Sequence, residues 1–199
     1  MVNPDCIAQK GSLDVLAARF RAIGASAGLV EGRQWPFEHP KEYDPESGRT
    51  PWASGAFVLV NDTFYERVGG MDEAYFLYTE DVDLSWQAWL NDFEVVYEPR
   101  AAVIHFSGGA FYRSDLVSRE EFYSLRNFIG INSKFFGPHG EESARTLAQR
   151  FGDPALVRQA IRSYEQELKP RLKLRADGAV HHPMIKVLGL NQFHEIRAQ

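Results

Sequence analysis

Thiol chemistry is nearly missing from this chain of 199 residues, which has one cysteine, Cys6. A lone cysteine excludes an internal disulfide and any metal site of the CxxC kind, so a reducing compartment is expected, with Cys6 as a buried structural thiol. Long apolar runs are missing too: none approaches the length of a membrane-spanning helix, and the N-terminus lacks the basic-then-apolar pattern of a signal peptide. The expected location is cytoplasmic. Positive charge is scarce, with 22 Lys and Arg against 27 Asp and Glu and a formal charge of −5. That balance argues against a nucleic-acid partner held through phosphate contacts. Internal repeats and low-complexity tracts are absent. What remains is ordinary for a folded domain, 44% hydrophobic and 25% charged residues, enough for one domain with an appendage and a buried core.

Periodicity organises the chain. Ser12 to Ala22 places Leu13, Val15, Leu16, Ala18 and Phe20 at helical spacing, with Ser12 as N-cap. Ala27 to Val30 reads as a short strand, and residues 31–53, rich in proline and charge, as a long loop. Ala56 to Val60 reads as a buried strand, followed by a helix from Thr63 to Val68 that Asn61-Asp62 caps and Gly69-Gly70 ends. Ala74 to Tyr78 is aromatic and strand-like, Glu80 to Leu90 helical, and Phe93 to Tyr97 and Ala101 to Phe106 strand-like. Ser118 to Phe136 is a helical pattern whose aromatic residues suit a packed face, ended by Gly137-Pro138. Glu141 to Phe151 and Pro154 to Leu168 read as amphipathic helices. The tail from Arg171 has little periodicity, and its His181-His182 pair reads as solvated.

The acidic run Thr79-Glu80-Asp81-Val82-Asp83 stands at a strand-to-helix junction. Alone, such acids belong to the first turn of a helix, where they meet the positive end of its dipole. Their surroundings change that reading. Ser54-Gly55-Ala56-Phe57-Val58-Leu59-Val60 and Val68-Gly69-Gly70-Met71-Asp72-Glu73 precede the run, and Val95-Val96-Tyr97-Glu98-Pro99 and Ala102-Val103-Ile104-His105 follow it. This series resembles the second half of the catalytic domain of family 2 glycosyltransferases, in the rhamnosyl- and galactofuranosyl-transferase-like branch. The pattern there runs SGA(hydrophobic)L, GGFDE, F-x-Y-x-E-D-x-D-L, P-x-A and V-x-H; Met71 stands where Phe is usual. Any one of these motifs is weak, and the ordered set is specific.

The resemblance covers residues 1 to about 136. It implies an α/β class and a partial GT-A (nucleotide-diphospho-sugar transferase) fold, with a mostly parallel sheet and C-terminal helices. Residues 1–136 would be the acceptor-side half of the catalytic domain and 137–199 a helical extension. The N-terminal nucleotide-binding half, roughly three βα units, is absent, so the expectation is a fragment with little activity alone.

The implied reaction is inverting sugar transfer from a nucleoside-diphosphate sugar to a saccharide or lipid-linked acceptor in polysaccharide biosynthesis. It leaves room for peripheral contact with the inner face of a membrane. The chemistry needs a base for the acceptor hydroxyl and a counter-charge for the departing diphosphate. By resemblance Asp81 is the base, and Glu80 orients the acceptor or the base. Asp83 reads as a helix N-terminal acid. His105 alone would read as a core histidine at a strand end; the resemblance makes it a ligand of a divalent metal, Mg²⁺ or Mn²⁺. Asn3-Pro4-Asp5 matches the metal motif, which assigns Asp5 to the cation and leaves Asn3 near ribose or phosphate. Trp52 and Gly55 precede the strand that lines the sugar pocket, although a tryptophan covering a strand end is an equal reading. Two other readings stay open: a non-catalytic carbohydrate-binding or partner-docking remnant, and a plain α/β domain whose acids are helix caps.

Overall fold

A computed structural model describes residues 1–40, 42–106, 114–174, 180–187 and 196–197, with backbone alone for 114–118 and 196–197. The chain forms two compact units: Met1–Met71 with Asp81–Gly109 and His194–Gln199, and Asp72–Glu80 with Ala110–Phe193.

The first unit is built on a four-stranded sheet of β1 (Cys6–Ala8), β2 (Ala27–Trp35), β4 (Val58–Val60) and β5 (Glu94–His105), in the order β1-β5-β2-β4. A two-residue strand, β3 (Phe37–Glu38), pairs antiparallel with β6 (Ile196–Arg197). The α/β class agrees with the sequence, but among the described residues the sheet is mixed rather than mostly parallel. Only β2 and β5 run parallel; β1 on β5 and β4 on β2 are antiparallel. The long parallel pair sits in the centre, and the two three-residue strands close its edges, a common arrangement for mixed sheets.

Several local expectations are corrected. Strand β2 extends to Trp35, into the expected loop, because Glu31 and Gln34 are buried within it rather than solvated. The two strands expected at 93–97 and 101–106 are one strand. Its register on β2 jumps from Gly32↔Glu98 to Arg33↔Ala102, so Pro99, Arg100 and Ala101 bulge out where no ladder donor is required of the proline. Gly32 faces this bulge; a Cβ there would lie 2.5 Å from Phe57 Cδ1 and 2.8 Å from the Ala101 carbonyl. Helix α1 (Ser12–Ile23) is preceded by Gly11 in the left-handed region at φ 83°, and Ser12 is not its cap. Instead the Ser12 hydroxyl donates to Ala102 O (2.7 Å) and accepts from Ala102 N (3.0 Å), tying the helix to β5. Leu16 of α1 then packs with Val30, Phe57, Val96, Ala101 and Val103 as the unit's core. Full burial of each larger apolar side chain contributes about 1.5–3 kcal/mol.

Helix α2 (Asp62–Val68) forms as read, with the Asn61 side chain accepting from Phe64 N and Gly69 closing it at φ 78°. Helix α3 (Glu80–Leu90) also forms as read. Ala74 to Tyr78 is not a strand: it is turn and bend, and Tyr78 and Thr79 have φ of 67° and 71°, which extended backbone excludes.

The second unit contains α4 (Ser114–Phe151) and α5 (Pro154–Ser163), with a π turn at Tyr164–Leu168. The regular α4 backbone is interrupted at Gly137 (φ 65°, ψ −155°), just before Pro138. Asp153 caps α5 through Ala155 N and Leu156 N, with Pro154 at the first helical position, where its missing N–H is harmless. Leu125 and Ala148 of α4 pack with Val157 and Ala160 of α5. Among the described residues no helix is long and apolar enough to cross a membrane.

Glu141 is the polar anchor of this helical unit. Its carboxylate, on a side chain 14% exposed, accepts from Tyr164 Oη (2.8 Å), Lys169 Nζ (2.8 Å) and the Arg145 guanidinium (2.8 Å). Burial alone would raise its pKa, but the hydrogen bonds from Lys169, Tyr164 and Arg145 outweigh it and hold the group at about 2. A depressed folded-state pKa gives stability that is present above the ordinary value of 4.5 and is lost as pH falls toward about 2. Glu141→Gln is expected to destabilise the protein by roughly 2–3 kcal/mol at pH 7. The same change should flatten the loss of stability across that acid window. Urea unfolding followed by circular dichroism at neutral and acid pH checks both; equal stability of the two proteins at pH 7 would remove Glu141 as an anchor.

Candidate functional site

The site grows from the pairing of β1 with β5. Phe106 N donates to Asp5 O (2.9 Å) and Gln9 N to Ala102 O (3.0 Å), which marks those positions as the hydrogen-bonded pairs of the ladder. Cys6 lies opposite His105 between them. Alternation makes this a non-hydrogen-bonded pair, the kind in which facing side chains come closest. Asp5 sits one residue earlier, in the turn closed by Cys6 N donating to Asn3 O (3.0 Å), so strand alternation does not fix its side chain. Its Oδ1 reaches 3.5 Å from His105 Nε2. Single ligand atoms of Asp5, Cys6 and His105 all lie within 4.8 Å of one another.

His105 is 8% exposed, and its Nδ1 is 2.7 Å from Oε1 of Gln34, which is 2% exposed on β2. An amide oxygen accepts and cannot donate, so Nδ1 carries the proton and Nε2 turns a lone pair toward Asp5. Burial lowers the His105 pKa, and the Asp5 carboxylate opposes that effect without reversing it. A neutral imidazole nitrogen and a carboxylate oxygen thus face each other as two acceptors. Such a pair suits a divalent cation, which both donor types bind.

Asp81 is held separately. At the start of α3 its Oδ1 accepts from Val82 N (2.8 Å) and its Oδ2 from Gly55 N (3.0 Å). Ser85 Oγ donates to Asp81 O (2.7 Å) and accepts from Ala53 N (3.0 Å), which stitches the loop at 53–55 to the first turn of the helix. On the far side of that loop Ala56 O accepts from Asn3 N (2.9 Å), and Val2 bridges to Phe57. Asp81 is therefore linked to the turn holding Asn3 and Asp5 through its own carboxylate on Gly55 N and the backbone bond from Asn3 N to Ala56 O. Asp81 stands outside the Asp5–Cys6–His105 trio. A Cβ on Gly55 would make ordinary contact with Asp81 Cβ at 3.7 Å, so the amide, more than the missing side chain, ties this residue to the site. Trp52 is 6% exposed with its ring edge-on to His39, so surrounding packing covers most of the face a sugar would use. Glu80 is half-buried as the first residue of α3, and Asp83 is fully buried rather than displayed at the helix end.

Within the second unit, α4 grips the segment that leads along the chain into α3. Lys134 Nζ is 2.7 Å from Asp72 Oδ2, and Asp72 Oδ1 accepts from Ala74 N (3.0 Å). Burial alone would raise the Asp72 pKa, but the Lys134 hydrogen bond leads the interactions that keep it lowered. The Asn127 amide donates to both Leu77 O and Tyr78 O. It thereby fixes the backbone next to Tyr78 and Thr79, whose left-handed conformation is strained for residues with a Cβ.

Four residues here escape the sequence reading. Gln34 is a polar position in β2, visible only once the strand is known to run past Val30. Cys6 gains its neighbours from strand pairing. Asn127 and Lys134 are polar residues within the aromatic stretch of α4, and that mixture was the one available signal.

No family model matches the chain. The chain is similar to N-acetylglucosaminyl-diphospho-decaprenol L-rhamnosyltransferase of Mycobacterium tuberculosis, in strains CDC 1551 / Oshkosh and ATCC 25618 / H37Rv. The identity is 40% over 139 aligned residues, covering 53% of this chain and 45% of the relative. It is also similar to rhamnosyltransferase WbbL of Escherichia coli strain K12, 30% identical over 109 residues, covering 48% of this chain and 41% of that protein. The chain thus spans less than half the length of these curated relatives. All of them are named as glycosyltransferases, and they support the family 2, rhamnosyltransferase-type resemblance over part of the chain.

Asn127→Ala leaves the Leu77 and Tyr78 carbonyls without this donor, and an expected loss of about 1–3 kcal/mol follows. Denaturant unfolding measures it, and hydrogen exchange over residues 76–80 should rise with it. Unchanged exchange there would show that Asn127 does not hold the strained pair.

Proposed function

We propose that this chain carries the acceptor-side part of an inverting, cation-dependent glycosyltransferase site of GT-A type. The donor is a nucleoside-diphosphate sugar, with rhamnose the sugar named for the relatives. The acceptor is a saccharide or lipid-linked saccharide, as in the diphospho-decaprenol acceptor of the mycobacterial relatives. The setting is polysaccharide or cell-wall synthesis, at the inner face of a membrane. The observation that carries the reading is a pair of facing acceptors, Asp5 Oδ1 and His105 Nε2 at 3.5 Å, joined through the Asn3–Ala56 link to a carboxylate fixed by two amides.

In this reading Asp81 takes the proton of the acceptor hydroxyl as its oxygen attacks the anomeric carbon. The new C–O bond forms on one face of the sugar while the bond to the diphosphate breaks on the other. The proton ends on Asp81 and the bonding pair on the departing diphosphate, and one displacement gives inversion. The Val82 and Gly55 amides keep the carboxylate aimed, so little reorganisation is needed during transfer. Glu80 orients the acceptor, Asn3 lies toward ribose or phosphate, and the segment from Trp52 to Gly55 lines the pocket. Asp5 and His105 would hold Mg²⁺ or Mn²⁺, which supplies neutralisation of the diphosphate charge. Gln34 keeps the His105 ring in the tautomer that coordination requires.

Asp81→Asn retains the shape and removes the base. In a protein that also carries a nucleotide-binding half, transfer from donor to acceptor is expected to fall by about 10²–10⁴-fold while cation-dependent binding of a nucleoside diphosphate is nearly unchanged. Wild-type rates in the variant would sink the assignment; binding without turnover in the wild type would mark a non-catalytic module. Gln34→Leu is expected to weaken Mn²⁺ binding by roughly 10–100-fold with the fold intact. Calorimetric titration checks this, and an unchanged affinity would detach Gln34 from the site.

A further inference from the structure

Cys6 takes no part in the sugar-transfer chemistry described above. It is half-buried and packs partly against the core of the first unit. A structural thiol needs no more than that. Yet its Sγ lies within 4.8 Å of ligand atoms of both Asp5 and His105, so one carboxylate oxygen, one thiol sulfur and one imidazole nitrogen converge. Two of the three come from the same non-hydrogen-bonded strand pair, Cys6↔His105, where the backbone holds the side chains close. The imidazole is already turned, with Nδ1 given to Gln34 and Nε2 facing Asp5.

We propose that Cys6 is a third donor to the cation site, making it an O, N, S site that selects a borderline ion such as Zn²⁺ or Co²⁺ over Mg²⁺. The inference rests on the Asp5–His105 cation reading above and changes the identity of the ion. Sulfur is the deciding atom: thiolate ligands favour Zn²⁺, whereas Mg²⁺ takes oxygen ligands and sheds its water reluctantly. Three protein donors also match catalytic zinc sites, which keep a further position for water or a substrate oxygen. A phosphate oxygen of the donor diphosphate suits that position. The bound thiol loses its proton to solvent on coordination, and no oxidant or reductant is involved.

Cobalt reports each donor class separately. Metal-stripped protein titrated with Co²⁺ is expected to develop visible ligand-field bands together with a near-ultraviolet thiolate-to-cobalt charge-transfer band. Zn²⁺ should displace the ion, and Mg²⁺ in large excess should not. Cys6→Ser should keep the ligand-field bands, lose the charge-transfer band and bind Co²⁺ at least roughly tenfold more weakly. His105→Ala should lose both bands. A second measurement needs no variant: because Cys6 is the single thiol, its alkylation by iodoacetamide is followed by mass, and Zn²⁺ but not Mg²⁺ should slow it. Cobalt binding without the charge-transfer band, or alkylation indifferent to Zn²⁺, overturns the role of Cys6 and leaves the Asp5–His105 reading standing. Absence of any cobalt binding overturns both.

Discussion

Three antiparallel residue pairs, Cys6↔His105, Ile7↔Ile104 and Ala8↔Val103, carry the candidate site. This ladder brings the first residues of the chain onto the end of β5, and the pairing of Cys6 with His105 follows from its register. Side chains alternate along a strand, so a slip of one residue would turn Cys6 and His105 to opposite faces. The register has external supports. Ser12 clasps Ala102 from both sides, and the bulge at Pro99–Ala101 resets β5 on β2 so that its last residues follow Arg33, Gln34 and Trp35. That reset brings Gln34 within reach of His105. A buried polar strand residue is costly unless paired, and the imidazole pairs Gln34 Oε1 with His105 Nδ1.

A second constraint acts at the acidic turn. Two consecutive residues with a Cβ, Tyr78 and Thr79, hold left-handed backbone immediately before Glu80 and Asp81. Each such residue is destabilising by about 1–3 kcal/mol and persists only when neighbours over-determine it. Asn127 and the Lys134–Asp72 ion pair supply that determination within the second unit. The same helix carries Glu141, whose depressed pKa records how tightly Tyr164, Lys169 and Arg145 converge on it. Within the second unit, Asn127 and Lys134 thus hold the segment from Asp72 to Tyr78.

Partial similarity to rhamnosyltransferases and the placement of Asp5, His105 and Asp81 bear on one reading, since the resemblance is what nominated those residues. The cluster also distinguishes this chain's own residues from the motif: Asn3-Pro4-Asp5 is legible as a pattern, whereas Cys6 beside it belongs to no part of the motif as read.

Much of the fold was legible because local rules decide it. Helices α2 and α3 follow from a capping Asn61, a terminating Gly69 and apolar periodicity, and α5 from the amphipathic pattern that starts at Pro154. The α/β class and the candidates Asp81, Asp5 and His105 came from ordered motifs along the chain. Other features depend on partners distant in sequence, and no local pattern encodes those. The mixed sheet arises from where β1 and β4 dock, the length of β2 from burial of Glu31 and Gln34, and the turn at 74–79 from left-handed backbone beneath an aromatic run that mimics a strand. The amino-acid order alone nominated the candidates for the chemistry, Asp5, Asp81 and His105. Only the folded chain decided that a cysteine and a glutamine stand beside them, because strand register and hydrogen-bond direction exist only between segments brought together in space.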